Sequence, residues 1–486
     1  MSLDPFSAYS MRGTGTARDV AKVVSGAVDA RYTSVRQFLG IPYALSPVGD
    51  LRWEPPRANK LPSSVDANLL PRSCMQYLAA APGVYRTEVL QFGIGGGDTS
   101  NIGEDCLTLS VWAPQQGENL PVLVFFYGGG LNTGGQDVPY QIPTQWVQRT
   151  KDLIVVVLNY RLNIFGFPNA PGLSQQNLGF LDQRLAVEWV RDNIKAFGGD
   201  PSKISIWGQS AGAESVDVYN FAWYQDPIVA GLIMDSGSAY LVGNKPSHPS
   251  NFTFVASQVG CGNKGGAAAQ LSCMRKVDAG TLEQFLRNYA DAGETPSLSF
   301  GAVPDGKIVF SNYTERALQG KVSRVPAIIG NNAQDGEPFA PYVPSGPNQT
   351  LALEAFLSTF FCHAVQTARN RVSAGQETYR FFYEGNFSNI ATKPWLGAYH
   401  SAELPLLFGT HSNYRGASPP YEYAVSHAMQ DAWRAFVNDP HGGLASQNWA
   451  QFTKSNDMVR KFGDHGIVAH NGDVKNFEAM CGPYFQ

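Results

Sequence analysis

What this chain of 486 residues has little of excludes several classes at once. Charged side chains make up only 16% of it, and Lys and Arg are scattered, so no basic stripe offers itself to nucleic acid. No apolar run approaches the ~20 residues of a membrane-spanning helix. The run at residues 153–158 reads instead as a buried strand, and no stable membrane insertion is expected. No Cys/His spacing matches a zinc site, and no metal or organic cofactor is implied. There is no fixed-period repeat, charge block or Ser/Pro-rich linker. One folded domain with loop insertions over residues 16–486 is therefore expected. Residues 1–15 lack the basic start, apolar stretch and small-residue cleavage site of a signal peptide. They read as a leader or added segment outside that domain.

What is present suits a large core: the chain is 43% hydrophobic, with 28 Phe, 21 Tyr and 9 Trp. Six cysteines, an even number, allow fifteen pairings or six buried thiols. Cys74 with Cys106, Cys261 with Cys273 and Cys362 with Cys481 are plausible partners. Four Asn-x-Ser/Thr tripeptides, at Asn251, Asn312, Asn348 and Asn386, are glycan acceptors in a secretory route. Cysteines and sequons together favour an extracellular protein.

Residues 121–127 (PVLVFFY) and 153–160 (LIVVVLNY) are nearly continuous apolar runs, as strands covered on both faces must be. Residues 106–112 alternate; shorter strands are expected at 204–207, 230–234, 325–329 and 379–383. Between them, residues 178–197 carry apolar side chains near a 3.6 period and stop at Gly198-Gly199. Residues 421–437 read as a late amphipathic helix. Buried strands alternating with helices predict an α/β fold, a mainly parallel sheet flanked by helices on both faces.

The segment that points to chemistry is residues 204–213 (ISIWGQSAGA), a strand running through Gly208-x-Ser210-x-Gly212 into a helix-compatible stretch. Such an elbow needs glycines because a Cβ on either side of the serine meets backbone. It lifts the hydroxyl above the sheet at a helix N-terminus. There the Ala211 N–H can face an oxyanion. Tyr127-Gly128-Gly129-Gly130, directly after a strand, lets backbone approach a ligand, so the N–H groups of Gly128 and Gly129 complete a three-donor hole. The plainer readings are an ordinary serine in a turn and a flexible glycine loop.

Residues 197–212 (FGGDPSKISIWGQSAG) resemble the active-site signature of type-B carboxylesterases, the family of cholinesterases and some fungal lipases. Residues 104–114 (EDCLTLSVWAP) resemble its second signature, and residues 40–44 (GIPYA) with 51–56 (LRWEPP) its N-terminal block. The likeness spans about residues 20 to 485 and implies an α/β-hydrolase fold. It implies that the acid lies just before a glycine after a late strand, which is Asp335 here, with Glu337 in reserve. The base opens an acidic and apolar block, which is His400, and Glu403 in that block is expected to make a structural ion pair. Most relatives carry Glu at the acid position. Asp335 as a helix cap and His400 as a surface residue are the plain alternatives. The second signature also implies that Cys106 pairs with an upstream cysteine, favouring Cys74.

The implied reaction is acyl transfer from a small-molecule or lipid-like ester to water through an acyl-enzyme, with a monomer or homodimer expected. Choline-ester relatives carry Glu before the nucleophile and a Trp in the loop between the first two cysteines. Here Gln209 stands before Ser210, and residues 74–106 offer Tyr77, Tyr85 and Phe92 but no Trp, so weak cholinesterase activity is expected. Tyr127 stands where His is common and alters one pocket wall. The loop at residues 74–106 reads as a lid or a pinned surface loop, and a loop that shapes the substrate site is expected. An acyltransferase or biosynthetic cyclase would use the same triad, a lipase is a further possibility, and a non-catalytic scaffold is the remaining rival.

Overall fold

The computed structural model describes residues 8–11, 22–78, 80–89, 101–242, 247–262, 265–413 and 415–485. Its centre is a ten-stranded sheet. In chain order the strands are β1 (Val35–Pro42), β2 (Thr108–Pro114), β3 (Leu120–Phe126), β4 (Ile154–Leu158) and β5 (Gly199–Gln209), then β6 (Gly231–Asp235), β7 (Ala327–Asn332), β8 (Thr378–Tyr383), β9 (Val459–Asp464) and β10 (Ile467–Gly472). Across the sheet the order is β1-β2-β4-β3-β5-β6-β7-β8-β9-β10. The run from β4 to β9 is parallel throughout, and only the two margins are antiparallel. In β4 every residue is buried, and in β3 every residue but Leu120. That explains why neither alternates: side chains on both faces meet protein.

The helices follow the expected places with small shifts. Helix α1 (Leu178–Asn193) tightens into a 3-10 turn at Ile194–Phe197, and Gly198, at φ +97°, ends it in the left-handed region. Helix α2 (Ala211–Ala222) leaves the end of β5. Helix α3 (Cys362–Ser373) precedes β8, and α4 (Leu404–Phe408) and α5 (Pro420–Asn438) precede the β9/β10 hairpin. Helix α5 packs on the sheet, with Trp433 edge-on to Phe381 at 5.1 Å. Strand β5 is longer than expected: it begins at Gly199, passes an irregularity before Ile204, and runs to Gln209. Its end delivers the serine.

Three disulfides join Cys74 to Cys106, Cys261 to Cys273 and Cys362 to Cys481, with Cα–Cα separations of 5.0, 5.6 and 5.2 Å. Among the described residues no helix is long and apolar enough to cross a membrane.

Candidate active site

Strand β5 and helix α2 meet at Ser210, whose backbone sits at φ 57°, ψ −124°. A non-glycine residue there costs about 1–3 kcal/mol, so surrounding structure must hold it. It is held from both sides: Ser210 N–H donates to Asp235 O at 2.8 Å, and Ser210 O accepts from Glu214 N–H at 2.9 Å. The flanking glycines are required by space. A Cβ on Gly208 would run into the Gly212 carbonyl, and one on Gly212 into Phe126 O.

The glycine loop after β3 closes on the serine. A Cβ on Gly128 would lie 2.8 Å from Ser210 Cβ, and Gly129 adopts φ +111°. Among the described residues the N–H groups of Gly128, Gly129 and Ala211 have no hydrogen-bond partner. Unpaired donors beside a hydroxyl, one of them at a helix N-terminus, are what an anion needs. Tyr127 braces this loop from beneath: its ring is buried and stacked on Tyr160 at 4.5 Å, and Tyr160 OH donates to Tyr127 O at 2.7 Å.

His400 and Asp335 come from two loops beyond β7 and β8 that a bridge between Gln334 and Tyr399 pins together. His400 Nδ1 is 2.8 Å from Asp335 Oδ1, and both residues are buried. The other Asp335 oxygen accepts from Asn332 N–H at 2.9 Å and from the Asn331 amide at 3.3 Å. With Asp335 as acceptor, the ring proton is assigned to Nδ1, and Nε2 presents its lone pair. Nε2 meets the Gln209 side-chain amide at 3.1 Å. The imidazole packs against Phe360 at 4.5 Å and Phe339 at 5.1 Å, two rings that themselves touch at 4.9 Å, while Tyr85 OH donates to His400 O at 2.7 Å. Among the described residues Ser210 Oγ makes no hydrogen bond in this arrangement.

Other acids stay out of that pair. Glu337 accepts from Gln349 at 3.3 Å and lines a different cavity, so it is Asp335 and not the reserve acid that faces His400. Glu403 is buried against the Asn332 amide and, among the described residues, makes no ion pair, contrary to expectation; burial pushes its carboxyl up to about 8. Burial also raises Asp235 well above the usual carboxylate range.

Two cavities share Ser210, Gly130 and Phe339. One, of 210 Å³, holds Gly128, Gly129, Gln209 and His400, with Tyr85, Tyr127 and Tyr140 in its wall. The other, of 380 Å³, lies on the Ala211 side and is lined by Leu131, Leu241, Ala302, Phe360 and Glu214. Phe339, Phe360 and Glu214 were not singled out from the sequence. A charged residue in the otherwise apolar start of α2, one turn past the serine, was the available signal for the last. Phe92 lies outside the described residues. Of the four sequon asparagines, Asn312, Asn348 and Asn386 are exposed. Asn251 is buried and its amide donates to Ser299 O at 2.8 Å, so in the folded chain it does not present its nitrogen to a glycan.

The family model described as the carboxylesterase family matches residues 21–359 and 350–478. The chain belongs to the carboxylesterase family. It is a carboxylic ester hydrolase of the α/β-hydrolase fold, and its substrates are small-molecule esters. It is similar to a chlorogenic acid esterase of Aspergillus niger, 46% identical over 94% of this chain and 92% of that protein. It is also similar to secreted lipase 5 of Gibberella zeae, 41% identical over 90% of this chain and 89% of that one. A cholinesterase of Mus musculus is 28% identical over 91% of this chain and 81% of its own length.

Proposed function

We propose that this carboxylesterase works through an acyl-enzyme on Ser210, with His400 as base, Asp335 as its orienting acid, and the N–H groups of Gly128, Gly129 and Ala211 as oxyanion donors. The observation that carries the reading is the convergence of a strained serine, three unpaired N–H donors and a buried His400–Asp335 pair. His400 Nε2 leaves the Gln209 amide, accepts the Ser210 proton, and the alkoxide attacks the ester carbonyl. Asp335 holds the Nδ1 proton and stabilises the imidazolium. Each oxyanion donor contributes about 3 kcal/mol in the transition state. The imidazolium then protonates the leaving alcohol, and water attacks the acyl-enzyme along the same path.

Residues 16–486 act in this reading as one catalytic domain. The three disulfides and the secreted relative support an extracellular site of action. The likeness to a chlorogenic acid esterase favours esters of aromatic acids as the substrate class. Gln209 in place of an acid disfavours choline esters. The test is hydrolysis of 4-nitrophenyl esters, with products followed in the presence of added alcohol. Turnover to free acid by the wild type, abolished in Ser210→Ala, supports the reading. Acyl transfer to the alcohol in preference to water makes the protein a transferase instead, and no turnover by folded wild type rejects the mechanism.

A further inference from the structure

Helix α2 buries two carboxyls, and the structure treats them differently. Asp217 is satisfied, accepting from Ala239 N–H at 2.9 Å and from the Asn220 amide at 3.1 Å. Glu214 is 5% exposed, yet among the described residues its carboxyl has no hydrogen-bond partner. It points into the 380 Å³ cavity that opens beside Ser210. An unpaired buried carboxyl is costly, because it has left water without a replacement partner. Retaining one in an apolar chamber is explained if a ligand completes it.

The mechanism assigns the chamber. His400 must reach the leaving alcohol, so the alcohol occupies the cavity that holds His400. The acyl group is left with the Glu214 side. The walls there are mainly apolar, with Leu131, Leu241, Ala302, Phe339 and Phe360 beside Ser358 and Thr359; they suit a flat apolar body and offer no countercharge. Glu214 follows one turn after Ser210, its N–H donating to Ser210 O at 2.9 Å, and both residues line this one cavity, so an acyl group on the serine extends into the space that holds the carboxyl.

We propose that Glu214 is a specificity-determining residue that hydrogen-bonds the ring hydroxyl of a hydroxylated aromatic acyl group bound on the Ala211 side of Ser210. This rests on the acyl-enzyme reading above and names its acyl specificity. Burial alone pushes the Glu214 carboxyl up to about 8, so near neutrality it is a neutral acid. In that form it both donates and accepts, the complement of a phenol, and it does not attract a cation.

The test compares kcat/KM for methyl 4-hydroxybenzoate against methyl benzoate, and methyl 4-hydroxycinnamate against methyl cinnamate. Wild type, Glu214→Gln and Glu214→Leu are measured, and the ratio within each pair is compared between proteins, which cancels the intrinsic reactivity of each ester. In at least one pair the preference for the hydroxylated ester should fall about tenfold in Glu214→Leu and less in Glu214→Gln, which keeps a donor and an acceptor. Equal ratios in all three proteins overturn the assignment. So does a loss that falls alike on both members of each pair, which marks a structural role. Should Glu214→Leu not fold, the Glu214→Gln ratio decides by the same criterion. Wild-type hydrolysis of 4-nitrophenyl acetate, whose acyl group is too short to reach Glu214, separates the two failures. If it is absent, the esterase mechanism itself fails; if it is present with unchanged ratios, only the Glu214 assignment falls.

Discussion

The Gln209 side-chain amide lies 3.1 Å from His400 Nε2, on the ring nitrogen opposite the one that faces Asp335. The imidazole is thus held at both nitrogens before substrate arrives, and the amide contributes a dipole where relatives that act on choline esters carry a charge. Gln209→Glu places a carboxylate beside Nε2 and favours the protonated, non-basic ring. The acidic limb of kcat/KM for a neutral ester should therefore move to higher pH, and choline esters should gain relative to neutral esters of equal size. A pH profile unchanged from wild type contradicts this role for the amide.

Asp335 and Glu337 stand two residues apart, and only Asp335 meets the imidazole. Asp335→Asn keeps the shape but offers Nδ1 a donor, which selects the wrong tautomer. A loss in kcat of about 10⁴ is expected. Glu337→Gln should change kcat less than about threefold. Steady-state kinetics on one ester distinguishes the two, and the reverse order of effects would reassign the acid.

Substituting the loop glycines should separate catalysis from folding. Gly128→Ala puts a methyl 2.8 Å from Ser210 Cβ and displaces the loop that carries two donors, so kcat should drop about 10²–10³-fold with fold retained. Gly212→Ala drives a methyl into Phe126 O at the centre of the elbow, and there the expected outcome is loss of several kcal/mol of stability. Circular dichroism and thermal midpoints beside activity read out both.

Stability should depend on pH in an unusual direction. Glu214 has its carboxyl raised from 4.5 to about 8 by burial, so between those values the native state keeps a proton that the unfolded chain releases. The contribution is fully present below about pH 4.5 and is lost as pH rises towards 8, on the order of 5 kcal/mol across the window. Glu214→Gln cannot ionise and should flatten this fall. Thermal midpoints at pH 5 and pH 8, at one scan rate, check it: a wild-type difference that the variant does not reduce contradicts the account.

The strands around the serine were readable because β3 and β4 are apolar on both faces, a pattern that survives without partners. The elbow was readable because steric demand at Gly208 and Gly212 leaves few other residues possible. The acid was less so: Asp335 and Glu337 share one Gly-rich loop, and only their placement against His400 separates them. The antiparallel margin formed by β1 and β2 depends on pairing partners far along the chain, which periodicity does not encode. Glu214 escaped notice because a carboxyl on a helix ordinarily faces water. Phe339 and Phe360 reach His400 from segments whose approach is purely tertiary.

The central claim is that Ser210 is the nucleophile of an acyl-enzyme, and irreversible phosphonylation tests it most directly. Wild type and Ser210→Ala are incubated with a 4-nitrophenyl alkylphosphonate, and intact mass and peptide mapping locate any adduct. One phosphonyl group on Ser210, formed as esterase activity disappears and absent from the variant, is the predicted result. Unlabelled wild type that remains folded, or an adduct on another residue that tracks the loss of activity, would contradict it.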